Sequence, residues 1–203
     1  MTVNIMNRPT VTKLVRKTSF STLRAAFSDV IPDQVFDLKL DPKLRSHELR
    51  APDCELGEEF HEALALGIRG ERVPTRFWPF VFVILAWMES EGVTKKRSEW
   101  EFRSSKSLKG RCDVLADGGF NKRGILEFKL TGKVPDADAL PDAHLAELSM
   151  YACADAETDE FTANSSRWGA VVYVCPSARS LRVFQFTTMN DCCAAAQTIL
   201  KAA

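Results

Sequence analysis

Apolar residues recur at helical spacing in five stretches of the chain, which indicates amphipathic or buried helices. The predicted helices cover residues 19–27, 56–67, 76–92, 141–157 and 189–201. Shorter apolar or alternating runs, bounded by turn residues, predict strands at 98–103, 110–117, 124–131, 168–174 and 180–186. Residues 1–18 are expected to be a flexible basic arm, and residues 33–52 a short helix with a loop.

The order of these elements predicts a single α/β domain. Helices come first, followed by three strands, a helix, two strands and a last helix, an order that favours a mixed sheet flanked by helices. The domain is expected to cover residues 19–203, with a helical portion at about 19–92. A chain of 203 residues is long enough for one such domain with its own core.

The strands predicted at 110–117 and 124–131 form a hairpin that carries candidate chemistry. Side chains alternate along a strand, so Glu127 and Lys129 point to one face and Phe128 to the other. Asp113 lies on the partner strand and can come opposite them. Two carboxylates beside a lysine can hold a hard cation and orient a water molecule.

A solvated ion pair on an exposed strand is the alternative interpretation of Glu127 and Lys129. The neighbouring residues Ile125, Leu126 and Leu130 are apolar, which instead predicts a central strand covered on both faces. Charged side chains in such a strand require a partner or a metal ion. The hairpin is therefore the first place to expect a site.

Four short motifs around this hairpin resemble those of the PD-(D/E)xK nucleases, in particular the RecB-like branch with its CRISPR-associated relatives. Residues 110–113 are similar to the Gly-x-x-Asp motif, and residues 127–129 to the (Asp/Glu)-x-Lys motif. Residues 57–61 resemble the upstream Gly-x-x-x-His helix. Residues 147–151 resemble the Gln-Leu-x-x-Tyr helix, with Glu147 in place of the amide, so contacts of that amide do not carry over. Without the resemblance, His61 would be interpreted as a surface or structural histidine.

The resemblance implies a restriction-endonuclease-like core and a DNA nuclease that depends on Mg²⁺ or Mn²⁺. The implied metal ligands are His61, Asp113, Glu127 and the backbone carbonyl of Phe128, and a histidine ligand favours Mn²⁺ somewhat. Asp113, Glu127 and Lys129 form the implied catalytic set, in which Lys129 orients or helps deprotonate a water or stabilises developing charge. The residues expected to bind substrate are Lys106, Lys109, Arg111, Glu147 and Tyr151.

Charge and cysteine content refine this expectation. Lysine plus arginine and aspartate plus glutamate are equal at 27 each, so DNA binding requires a local basic face. Basic clusters at 94–97, 103–111 and 122–123 surround the hairpin, although a plain solvated surface explains each cluster about equally well. Ile31 stands where cluster-bearing relatives have a cysteine, so no iron–sulfur cluster is expected, unless Cys54 substitutes.

The N-terminal residues, the longest apolar run and the cysteine spacing bear on the cellular location of the protein. The first residues lack the apolar core of a secretory signal, residues 77–88 are too short to cross a bilayer, and no cysteine pair has CxxC spacing. We therefore expect a cytoplasmic protein without a membrane segment. Its expected substrate is DNA, as single strands or duplex ends, and its candidate partners are a helicase, a recombinase or another protein subunit.

Three functional hypotheses result. The first is an exonuclease or an end- or structure-directed nuclease in recombination, repair or phage and defence processing. The second is a non-catalytic nuclease-fold subunit that binds DNA or protein within a larger assembly. The third is a structural α/β protein in which Glu127 and Lys129 form a solvated ion pair.

Overall fold

The structure, a computed structural model, describes residues 10–40, 52–103, 109–120, 122–158 and 167–202. The helices are α1 (Val11–Lys17), α2 (Phe20–Phe27), α3 (Cys54–Ile68), α4 (Trp78–Ser90), α5 (Asp142–Thr158) and α6 (Asn190–Ala202). The strands are β1 (Gln34–Lys39), β2 (Val93–Arg103), β3 (Lys109–Gly118), β4 (Gly124–Leu130), β5 (Trp168–Cys175) and β6 (Ser180–Phe186).

The strands form one mixed sheet in the order β1-β6-β5-β4-β3-β2. Among the strands of the described residues, β4 and β5 run parallel and are joined by the α5 crossover, while the other neighbouring pairs are antiparallel. This confirms the predicted α/β class, a central mixed sheet flanked by helices, and the architecture is consistent with a restriction-endonuclease-like core.

Helices cover both faces of the sheet. Buried residues of α1, α2, α5 and α6 pack on one face around Ile125, Val171 and Phe184. Buried residues of α3 and α4 pack on the other face around Leu126 and Phe128. Strand β4 therefore lies in the interior of the sheet with both faces covered, as its apolar sequence predicts.

Local sequence signals explain where the helices begin. The Ser19 hydroxyl accepts a hydrogen bond from the Thr22 N–H, which caps α2 as expected. Asp53 caps α3 in the same way, because its Oδ1 lies 2.7 Å from the Leu56 nitrogen. Pro79 lies in the first turn of α4, where its missing N–H costs nothing.

Two sequence expectations are wrong. Residues 34–39 form an edge strand rather than a helix, and Asp37 binds Arg182 of β6 through two hydrogen bonds of 2.7 and 2.9 Å. Residues 11–17 form a helix rather than a flexible arm, since Val11 and Val15 are buried against α5. In both cases the stabilising contacts come from segments more than 90 residues away in the sequence. Within the described part of the chain, no helix combines the length and apolar character that crossing a membrane requires.

Candidate metal centre

The carboxylates of Asp113 and Glu127 meet where β3 and β4 separate. Regular pairing between these strands runs from Ala116 and Gly124 to Val114 and Leu126. Beyond Val114 and Leu126, hydrogen bonds between backbone and side chains take the place of the backbone–backbone hydrogen bonds. The Phe128 N–H donates to Asp113 Oδ2 at 2.7 Å, and the Asp113 N–H donates to Glu127 Oε1 at 3.3 Å. The strand ends thus hold two carboxylates side by side.

His61 reaches this point from the opposite layer of helices. It lies in α3 beside the fully buried Phe60, whose ring packs edge-on against Phe77 and fixes this side of the helix. The imidazole Nδ1 is 3.2 Å from Asp113 Oδ1. Burial lowers the pKa of His61, but the hydrogen bond with Asp113 and the Asp113 charge together outweigh burial, and the pKa is raised overall. The structure therefore brings together three of the four predicted metal-binding residues.

Lys129 is held between two carboxylates on the α5 side of the sheet. Its Nζ lies 3.3 Å from Glu127 Oε2 and 2.9 Å from Glu147 Oε2. Burial lowers the pKa of Lys129, yet the surrounding carboxylates, Glu127 first, more than compensate and raise it well above its ordinary value. Lys129 is therefore a fixed cation at neutral pH.

Glu127 is the most enclosed acid of the site, with 3% of its surface exposed. Burial raises its pKa well above the ordinary range, and the neighbouring Asp113 charge adds to the effect. The single ammonium of Lys129 is shared with Glu147. A further positive charge at this point would favour the ionised form of Glu127.

Glu99 is a member of the site that sequence reasoning missed. His61, Glu99 and Asp113 each offer one ligand atom, and these atoms all lie within 4.8 Å of one another. Ser98 pairs with Val114 and Trp100 with Cys112, so Glu99 lies opposite Asp113 across the β2–β3 ladder. The alternation of the 98–103 run marks Glu99 as a strand residue, but only the strand register indicates its neighbour.

Arg111 stands between two clefts that flank this cluster. The first, called here the histidine cleft, has a volume of about 480 Å³ and is lined by His61, Glu99, Arg111 and Asp113 among others. The second, called here the tyrosine cleft, measures about 470 Å³ and is lined by Thr12, Lys109, Arg111 and Tyr151 among others. Two of the basic residues expected to bind DNA thus line a cleft beside the carboxylates.

The remaining expected substrate-binding residues have different surroundings. Tyr151 is nearly buried in α5, and burial raises the pKa of its hydroxyl. Glu147 holds Lys129 and is thereby part of the charged cluster. Lys106 lies outside the described residues. The backbone N–H of Phe128 donates a hydrogen bond to Asp113 at the site. The role of the Phe128 carbonyl as a metal ligand stays a prediction.

Comparison with known proteins leaves the family open. No protein-family model and no curated protein matches this chain. One similar solved structure is described as "Crystal structure of SSO0001". It is 14% identical, covers 94% of this chain and 84% of its own, and superposes with a TM-score of 0.35. A similarity this low supports no conclusion about function.

Proposed function

We propose that the protein is a metal-dependent DNA nuclease that hydrolyses phosphodiester bonds with Mg²⁺ or Mn²⁺. The observation that carries the proposal is the meeting of His61, Asp113 and Glu127 beside the enclosed cation of Lys129. These four side chains come from α3 and from the β3–β4 hairpin, which are separated along the chain by α4 and β2. Three of the four motifs that resemble those of PD-(D/E)xK nucleases contain these residues.

The donor set fits a divalent cation. An imidazole and two carboxylates are ligand types that suit Mn²⁺ and Mg²⁺. His61, Asp113 and Glu127 would hold the ion, which when bound supplies an acidified water and neutralises the charge of the scissile phosphate. A bound cation would also stabilise the ionised form of Glu127, whose pKa is raised by burial and by the Asp113 charge.

Lys129 acts in this proposal as a charge rather than as a base. Because its pKa is raised, it does not release its proton at neutral pH. Its ammonium donates hydrogen bonds and stabilises negative charge as that charge develops on the phosphate. Glu147 keeps it in place with the 2.9 Å contact. This favours one of the roles expected of Lys129 over that of deprotonating water.

Arg111 and Lys109 would contact the DNA backbone. They line the tyrosine cleft next to the carboxylates, and backbone contacts of this kind provide affinity without reading sequence. The expected substrates remain single strands or duplex ends, presented with or without a helicase or recombinase partner.

The decisive experiment is cleavage of end-labelled single- and double-stranded DNA with Mg²⁺ or Mn²⁺, and with EDTA. We expect wild-type cleavage that EDTA abolishes and that Lys129→Ala reduces about 100-fold or more, the usual effect of removing a transition-state donor. Lys133→Ala, which changes an exposed lysine outside the site, is the matched control and should cleave normally.

Absence of cleavage by the wild type, or unchanged cleavage by Lys129→Ala, would contradict the proposal. If the wild-type protein still bound DNA without cutting it, the non-catalytic subunit would become the better explanation. Reading cleavage and binding on the same labelled strands separates these two outcomes.

A further inference from the structure

We infer that Glu99 is a ligand of the same metal site and that Arg111 competes with the metal ion for its carboxylate. The inference rests on the proposed function for the metal site, but not on DNA cleavage. None of the four motifs that resemble known nucleases includes Glu99. Its assignment comes entirely from the geometry of β2, β3 and α3.

Three elements bring the ligand atoms together. Glu99 comes from β2, Asp113 from β3 and His61 from α3, and one ligand atom of each lies within 4.8 Å of the other two. His61 already contacts Asp113 at 3.2 Å. Imidazole nitrogen with two carboxylate oxygens is a donor set for Mn²⁺ and, with lower preference, Mg²⁺. Glu99 thus adds a third side-chain ligand to the pair formed by His61 and Asp113.

Arg111 currently engages this carboxylate. Its Nη1 lies 2.7 Å from Glu99 Oε2, and the two side chains are 59% and 35% exposed. An ion pair that is so accessible to water is weak, because solvent screens the attraction and the long side chains lose freedom in forming it. A divalent ion that also binds His61 and Asp113 can therefore displace the guanidinium.

The charges that line the histidine cleft favour a cation. Four acids line it, namely Glu58, Glu62, Glu99 and Asp113, against the two arginines Arg69 and Arg111. Arg69 is already paired with Glu71 at 2.6 Å, outside the cleft lining. The remaining excess of negative charge attracts a cation from solution.

Displacement of Arg111 has a consequence for the substrate. Arg111 lines both clefts, and Lys109 lines the tyrosine cleft beside it in the sequence. Once Glu99 binds the metal ion, the guanidinium is free to bind a phosphate of the DNA backbone. Metal binding and backbone binding then favour each other, since both require the Glu99–Arg111 pair to open.

The test is Mn²⁺ binding by calorimetry to the full chain without DNA. We expect Glu99→Gln to weaken Mn²⁺ binding about tenfold or more, by the scale typical of residues that support a metal site. Arg111→Gln should tighten binding about two- to fivefold, the range of an exposed ion pair. Glu89→Gln, an exposed acid near the end of α4 and outside both clefts, is the control and should bind as the wild type does.

Equal Mn²⁺ affinity of the wild type and Glu99→Gln, or weaker binding by Arg111→Gln, would overturn the inference. Thermal unfolding without metal checks that each variant folds. Should Glu99→Gln not fold, the Arg111→Gln variant decides alone, because its tightening occurs only if Arg111 competes with the ion. Loss of Mn²⁺ binding in Asp113→Asn together with an inactive wild type would reject the nuclease proposal and leave the Glu99 assignment standing.

Discussion

The surroundings of Lys129 and His144 shift the pKa values of these two side chains in opposite directions. Lys129 remains charged because Glu127 and Glu147 surround it, although burial alone would favour its neutral form. His144, one turn before Glu147 in α5, shows the opposite balance. Burial lowers the pKa of His144 to about 4, with the charge of Lys129 contributing, and its Nδ1 is hydrogen-bonded to the Tyr173 hydroxyl.

His144 is predicted to make the protein sensitive to mild acid. Its pKa falls from the ordinary 6.5 to about 4 on folding, so the unfolded chain binds more protons between these values. The stability it contributes is complete above pH 6.5 and is lost as the pH falls towards 4. The loss amounts to at most about 3 kcal/mol. His144→Gln keeps a hydrogen-bonding side chain but does not titrate.

Urea unfolding of wild type and His144→Gln at several pH values between 7 and 4 measures this effect. We expect the free energy of unfolding to fall less steeply with acid in the variant. Parallel curves for the two proteins would show that His144 is not responsible.

At the scale of elements, the two wrong sequence expectations concern segments that depend on distant partners. The β1 run contains the apolar residues Val35, Phe36 and Leu38, but the charges and the two prolines of residues 33–52 obscure its strand pattern. Pairing with β6 satisfies its backbone, and the Asp37–Arg182 pair fixes the register. Arg182 also donates to the Pro135 carbonyl at 2.6 Å, which ties the segment before α5 to the same edge.

Asp37→Asn should loosen this edge strand. The variant loses a charge-assisted, two-point contact with Arg182, and we expect a loss of stability of about 1 kcal/mol or less because the pair is partly exposed. Hydrogen exchange of the β1 amides should accelerate while that of β4 does not. Asp29→Asn, at an exposed position after α2, is the control and should leave β1 exchange unchanged.

At the scale of the whole molecule, close packing at one end of the sheet contributes to the stability of the fold. The ring of Trp168 is fully buried beneath the β3–β4 turn, where its Nε1–H donates to the Gly118 carbonyl at 3.2 Å. A Cβ at Gly124 would lie 2.2 Å from the Trp168 ring, so no larger residue fits there without moving the indole. The hairpin that carries Asp113 and Glu127 is anchored by this contact.

Gly124→Ala is therefore predicted to destabilise the protein by about 1–3 kcal/mol, the usual cost of overpacking. Gly57→Ala is the matched control, because the Cβ that it would add meets nothing within 4 Å apart from its chain neighbours and the backbone of its own helix. In the interior of α3 that change should stabilise the fold by up to about 1 kcal/mol. Chemical denaturation measures both, and equal effects in the two variants would refute the packing argument.

Much of the fold could be read from the sequence because its signals are local. The apolar run of β4 indicates a central strand, Ser19 indicates a helix start, and the glycines before β4 indicate a turn. The meeting of Asp113 with Glu127 follows from the hairpin. The contact between His61 and Asp113 is expected only through the family resemblance, since no local pattern links α3 to β3.

The sequence by itself determined the class of the fold, the central hairpin and three acidic or basic residues of the candidate site. Only the tertiary structure decided that β1 and α1 are ordered elements, that Glu147 holds Lys129 and that Glu99 faces Asp113. The physical reason is the range of the interactions. Periodicity and capping act over a few residues, whereas strand register and ion pairs between layers depend on how the whole chain packs.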